Sequence, residues 1–210
     1  MQLDPRKNNS FARAEIDLSN LAHNIRIIKS YRSRPETKIM AVVKADAYGH
    51  GAAEISREAI KSGVDALGVA FAGEGILLRE EGVDVPVYIL GECPPADAED
   101  AIKNNLILTV NSLDSAKVYS AIARKLNLRA CININIDTGM NRLGINWRNI
   151  ADIAAIKKIG NLDIDGIFTH FACASEEDPS YTTKQMDRFL DAKKALDVAG
   201  ISFNNVHSAN

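Results

Sequence analysis

Seven short apolar runs recur along the chain, at 39–43, 66–70, 85–90, 106–110, 130–136, 164–170 and 203–207, and read as strands. Between them lie segments whose apolar residues repeat at helical spacing. Leu21, Ile25 and Ile28 share a face behind a Ser19 or Asn20 cap, and Ile55, Ala59 and Ile60 share another ahead of Gly63. A Pro94-Pro95 start precedes Ile102, and a Ser112 cap precedes Leu113, Ala116 and Tyr119. Ile150, Ile153 and Ala154 form a further face, and Met186, Phe189 and Leu190 belong to a long helix that stops near Gly200.

Alternating strands and helices demand parallel strands with right-handed crossovers, hence a doubly wound sheet or a (β/α)8 barrel. The first strand runs into Lys44-Ala45-Asp46-Ala47-Tyr48-Gly49-His50-Gly51, which lacks the GxGxxG spacing of a dinucleotide fold, so a TIM-type barrel is expected. About seven units are visible where a barrel has eight, and the chain stops at Asn210 just after the last strand candidate. Open strand edges are a liability. The expectation is therefore one barrel domain over residues 1–210, truncated before its last strand, and part of something longer.

Composition narrows the function. The 210 residues suffice for one sizeable core, and 46% hydrophobic with 25% charged residues and no apolar run of about 18 describes a soluble protein without a membrane span. The opening MQLDPRKNNS has no secretory h-region. A net charge of -2 supplies no field for gathering nucleic acid. Cys93, Cys131 and Cys173 lack CxxC spacing and read as reduced thiols of a cytoplasmic protein, with no metal site expected.

Three strand ends carry chemistry. In a parallel barrel the carboxyl ends of the strands form the active face, and Lys44 closes the first run. An isolated lysine there is ordinarily solvated, but a desolvated amine is what Schiff-base chemistry needs, and Tyr48 offers a phenolic donor to a phosphate while Gly49 and Gly51 permit close backbone approach. The run Cys131-Ile132-Asn133-Ile134-Asn135-Ile136-Asp137 alternates strictly, with isoleucines on one side and Asn133, Asn135 and Asp137 on the side that would face inward. The loop after it delivers Arg142, suited to a phenolate or carboxylate. His170 and His207 each end a strand candidate and are expected on the same face as Lys44, whereas His23 reads as a surface residue, His50 as support for its loop, and 175–179 as a solvated turn.

The segment Ala41-Val42-Val43-Lys44-Ala45-Asp46-Ala47-Tyr48-Gly49-His50-Gly51 resembles the pyridoxal-phosphate attachment motif of bacterial alanine racemases. Asp137-Thr138-Gly139-Met140-Asn141-Arg142-Leu143-Gly144, Thr169-His170-Phe171-Ala172 and Val206-His207-Ser208-Ala209-Asn210 reinforce it, in the family's order, so that the likeness spans essentially the whole chain and corresponds to most of that family's amino-terminal barrel, without its carboxyl-terminal β domain. The resemblance implies pyridoxal 5'-phosphate held by Lys44 as an aldimine, with Lys44 one of two bases exchanging the α-proton of alanine. It implies that Tyr48 binds the cofactor phosphate and that Arg142 contacts its phenolic oxygen and the substrate carboxylate. His170 would lie against the pyridine ring in a network that includes His207, and Asn210 would begin the phosphate-binding segment. The opposing base in this family is a tyrosine of the partner subunit's second domain, so a homodimer is implied for the full-length protein and negligible racemisation for these 210 residues alone.

One position departs from the family. Many members carry a carbamylated lysine two residues before the Asp of the DTGM segment, and here that residue is the neutral Asn135. A small anion such as chloride, or another carboxylate, is expected to supply negative charge near Asn135 and Arg142. The resemblance also allows serine as a second substrate. The other readings are a barrel-only pyridoxal-phosphate carrier without catalysis, a decarboxylase of the same barrel type, and a phosphate-binding barrel without pyridoxal.

Overall fold

Asp17, rather than Ser19 or Asn20, caps the first helix. Its Oδ1 accepts the Ser19 backbone N–H at 2.8 Å and the Ser19 hydroxyl at 2.6 Å, so the serine is itself a donor to the cap. The computed structural model describes residues 14–209. Its helices are α1 (Leu18–Ser30), α2 (Lys44–Gly49), α3 (Ala52–Lys61), α4 (Ala72–Glu80), α5 (Pro95–Lys103), α6 (Leu113–Lys125), α7 (Ile150–Ile156) and α8 (Ser180–Val198). Its strands are β1 (Met40–Val42), β2 (Ala66–Val69), β3 (Val87–Glu92), β4 (Ile107–Val110), β5 (Ala130–Asp137), β6 (Ile145–Asn146), β7 (Leu162–His170) and β8 (Asn205–Ala209).

The strands pair in the order β1-β2-β3-β4-β5-β7-β8, all parallel, and the short β6 pairs only with the end of β5. This is the curled sheet of a (β/α) barrel, open between β8 and β1 among the described residues. Lys38, just ahead of β1, reaches across that opening to donate to Asn205 Oδ1 at 3.2 Å. Val42 and Val206 on the two edge strands stay 39% and 41% exposed.

Two cores follow from the strand alternation. Outward residues such as Leu67, Ile89, Leu108, Ile134 and Ile167 pack under the helices against Ala59, Leu78, Tyr119, Ile153 and Phe189. Inside the barrel a smaller cluster of Ala66, Tyr88 and Ile107, with Met40, Leu90 and Cys131, fills the lower half. Burial pushes the Cys93 and Cys131 thiols up to about 11, so both stay protonated at neutral pH. Gly166 lets β8 approach β7, since a Cβ there would sit 2.1 Å from the Asn205 carbonyl oxygen.

Two features depart from the sequence pattern. Ile28 turns outward and is 53% exposed, leaving Ile25 as the buried anchor of α1. Helix α4 has a weak helical signal because Gly73 and Gly75 dilute it, yet Gly75 is required: a Cβ there would meet Leu106 Cδ1 at 2.9 Å. No helix among the described residues is long and apolar enough to cross a membrane.

Candidate active site at the barrel mouth

Lys44 leaves β1 in an unusual way. Val43 still donates to the Gly68 carbonyl at 2.8 Å, but Ala45, Asp46, Ala47 and Tyr48 then take φ values of 51, 54, 51 and 57°, so that α2 is a left-handed turn built from non-glycine residues. Each such residue costs roughly 1–2 kcal/mol, and strain of this kind persists only where surrounding contacts impose it. Those contacts are visible. Ala47 N–H donates to the Val43 carbonyl at 2.9 Å and Gly51 N–H to the Asp46 carbonyl at 3.0 Å. The Asp46 carboxylate accepts from Ala52 N–H at 2.6 Å, and Glu74 Oε1 accepts from Ala45 N–H at 2.7 Å. The turn folds Tyr48 back until its ring lies 5.9 Å from Lys44 Nζ. The Lys44 ammonium itself makes no hydrogen bond or ion pair with the described residues.

Across the mouth, β5 presents Asn133 and Asn135 to the interior. Asn135 Nδ2 donates to Asn111 Oδ1 at 2.9 Å, and the Asn111 amide donates in turn to the Glu92 carboxylate. Asp137 Oδ1 accepts from the N–H groups of Gly139 and Asn141 at 2.9 and 3.0 Å, which curls the following loop and carries Arg142 back over the strand end. Arg142, Asn135, Met140 and His170 line one small hollow, and Arg142 is exposed, with no ion pair to any described residue. A larger cavity of about 250 Å³ lies on the other side of the same loop, beside Trp147, Arg148 and Arg188. Asp137, Gly139 and Asn141 of the 137–144 segment line it, but Lys44, Tyr48, Arg142, His170 and His207 do not. The chemistry therefore gathers around the smaller hollow.

His170 ends β7 at this mouth. Burial holds its imidazole below the ordinary histidine range, helped by the positive charges of Arg142 and Lys44, so it is neutral at pH 7. Lys44 directly follows the carboxyl end of β1 and His170 closes the carboxyl end of β7 in the same parallel sheet, with Arg142 lining the hollow beside His170. Gln185 of α8, fully buried, fixes the strand end: its Nε2 donates to the His170 carbonyl at 3.3 Å and to Thr138 Oγ1 at 3.2 Å, while its Oε1 accepts from Ala172 N–H at 2.9 Å.

His207 is placed differently from its sequence expectation. It lies in the middle of β8 rather than at its end, paired in register with Phe168, two residues before His170 on β7. Its ring stacks on Phe168 with centroids 5.0 Å apart and accepts at Nε2 from Asn133 Nδ2 at 2.9 Å. Among the described residues no hydrogen bond joins it directly to His170, and the register sets His207 a layer deeper. Asn210 lies outside the described residues. Glu74, Gln185, Asn111 and Glu92 were not legible beforehand. A glutamate three residues after an N-cap is a known signal, but the cap position here is Phe71, which hides it.

The donor set suits pyridoxal phosphate. A primary amine without a hydrogen bond or ion pair among the described residues fits an aldehyde carbon, a 60% exposed phenol at Tyr48 fits a phosphate oxygen, a guanidinium with no ion pair among them fits a phenolate, and a neutral imidazole can lie against a ring. The strained turn beside the amine is a further sign that the local backbone serves a ligand rather than stability.

Known proteins share the sequence pattern and the fold. The profile of the family described as "Alanine racemase, N-terminal domain" matches residues 16–210. A curated alanine racemase of Desulforamulus reducens is 42% identical over 199 residues, covering 94% of this chain and 54% of its own length. An alanine racemase structure from Clostridium difficile 630 superposes with a TM-score of 0.88 at 39% identity, over 91% of this chain and 53% of that one. A histidine racemase from Leuconostoc mesenteroides subsp. sake superposes with a TM-score of 0.83 at 28% identity, over 92% and 51%. The chain thus spans about half the length of the relatives it matches.

Proposed function

Since the chain belongs to the alanine racemase family, matched along the family's N-terminal domain, we propose that it forms the pyridoxal-phosphate-binding barrel of an enzyme interconverting L- and D-alanine. The single observation that carries this reading is the position of Lys44 at the carboxyl end of β1, in the same parallel sheet whose β7 ends in His170 beside Arg142. When bound, the cofactor supplies an electron sink that makes the α-proton of an attached amino acid acidic.

The chain's own residues then have separable tasks. Lys44 Nζ holds the cofactor and moves a proton on one face of the α-carbon. Tyr48 donates its phenolic proton to the phosphate, and Arg142 contacts the phenolic oxygen and orients the substrate carboxylate. His170, its proton affinity lowered by burial, would face the cofactor ring without adding a competing charge. His207 and Asn133 support this layer from below, and Asn210 is assigned to the phosphate segment. Inversion requires a second base on the opposite face, which we assign to a partner subunit of a homodimer. The unpaired Arg142 beside the neutral Asn135 favours a small anion such as chloride between them; anomalous scattering with bromide in place of chloride tests this, and no anion peak at Arg142 overturns it. A cytoplasmic role in supplying D-alanine for peptidoglycan precursors is consistent with three free cysteines.

The testing experiment is the visible spectrum of the purified protein with pyridoxal phosphate, before and after borohydride, followed by peptide mapping. A reduced adduct on Lys44, together with D-alanine formation by the whole enzyme, is expected. An adduct on another lysine overturns the assignment. The likeness to a histidine racemase favours one second reading, a racemase of another amino acid such as serine. Relative rates on alanine, serine and histidine separate the two.

A further inference from the structure

We propose that Glu74 is a positioning residue for Lys44: its carboxylate straps the left-handed turn behind Lys44 to the end of β2, and so aims an amine that has no hydrogen bond or ion pair among the described residues. The inference rests on the reading of Lys44 as the cofactor-bearing amine.

The Lys44 side chain has no hydrogen bond or ion pair with the described residues, and the Tyr48 ring 5.9 Å from its Nζ belongs to the same turn, so its direction is set by the backbone on either side. On one side Val43 is fixed to the sheet through its 2.8 Å bond to the Gly68 carbonyl. On the other side stands Ala45, the first amide of the turn. As at the start of any helix, such an amide has no partner within its own turn and must find an acceptor elsewhere. Its acceptor is Glu74 Oε1, 2.7 Å away on α4. The second oxygen, Oε2, accepts from Ala70 N–H at 2.8 Å and Phe71 N–H at 3.3 Å, where the chain leaves β2. One carboxylate therefore joins the carboxyl ends of two neighbouring strands through three backbone donors. The Asp46 carboxylate ties the far side of the turn to α3 but lies two residues beyond the lysine.

The chemistry of the side chain is specific. A carboxylate is acceptor-only at both oxygens, whereas an amide of the same shape must present an NH₂ to one set of N–H donors. Glu74→Gln therefore keeps the volume and breaks the strap. Glu80, exposed on the same helix and without such contacts, is the matched control.

The wild type, Glu74→Gln, Glu74→Ala and Glu80→Gln proteins are compared at equal folded fraction by circular dichroism. The rate of the borohydride-trapped pyridoxal-phosphate adduct is mapped to Lys44, and the carbon-13 resonance of reductively methylated Lys44 is recorded without cofactor. Both Glu74 variants are expected to trap the adduct about tenfold more slowly and to show a shifted or doubled Lys44 methyl resonance, with Glu80→Gln like the wild type. A merely structural role would lower the melting point and leave both readouts of the folded protein unchanged, and that result overturns the proposal. Loss of folding in both Glu74 variants also overturns it, because Glu74 would then support the barrel rather than one lysine. If the wild type forms no adduct at Lys44, the cofactor assignment fails, and the methyl resonance still decides whether Glu74 holds the amine.

Discussion

Asn133 Nδ2 donates to His207 Nε2 at 2.9 Å inside the barrel, which leaves the ring proton of His207 on Nδ1. Asn133 Oδ1 on the same amide is buried without a partner, so this bond is the amide's whole contribution to the layer beneath the mouth.

Acid should therefore loosen the barrel. Burial lowers the His207 pKa, opposed only in part by Asp165, and burial lowers that of His170 as well. With folded values below the unfolded value near 6.5, the unfolded chain binds more protons in the window between them. The stability these neutral rings contribute is present above about pH 6.5 and lost as pH falls through their folded values. Urea titrations from pH 7.5 to 5 should show a falling midpoint, and His207→Gln should flatten the fall. A midpoint independent of pH in the wild type contradicts this account.

The left-handed turn makes a prediction opposite to ordinary helix behaviour. Replacing alanine by glycine in a right-handed helix destabilises it, but Ala45 sits at φ 51°. Ala45→Gly should remove about 1–2 kcal/mol of strain, offset by about 0.5–1 kcal/mol of extra unfolded-state entropy. A melting point about 2 °C higher is expected. A clear decrease would mean that the turn is not strained in the folded protein.

Gln185 closes three backbone and side-chain bonds in a fully buried position. Gln185→Ala leaves the Ala172 N–H and the His170 carbonyl without this partner and opens a hole under α8. We expect a loss of about 2–3 kcal/mol in urea unfolding with an unchanged slope. A loss below about 0.5 kcal/mol, the scale of a surface change, contradicts it.

Arg142 lowers the proton affinity of His170 after burial does, and more than Lys44 does. Arg142→Ala should raise the His170 titration midpoint read by proton NMR, and Arg142→Lys should restore much of the depression. An unmoved midpoint in Arg142→Ala would separate the two residues and dissolve the shared hollow.

Much of this was legible from residue order. The alternation of apolar runs announced parallel strands, the isoleucines of β5 announced an inner face of Asn133 and Asn135, and the segment around Lys44 announced a lysine at a strand end. Periodicity reports burial, and burial is a local property of each strand or helix face. The position of His207 was harder to see. Its strand begins two residues later than the apolar run, and one shift of that size turns a strand end into an interior layer.

What the sequence by itself determined is the kind of fold and the residue types at its mouth: an amine, a phenol, a guanidinium and two imidazoles, in an order that resembles one family. The tertiary structure alone decided how those groups are held. The bond from Ala45 to Glu74, the lock of Gln185 on Ala172 and the link of His207 to Asn133 join residues 13 to 74 positions apart in the chain. No short-range pattern encodes such pairs, because they exist only once the sheet has curled and brought distant strand ends within hydrogen-bonding distance.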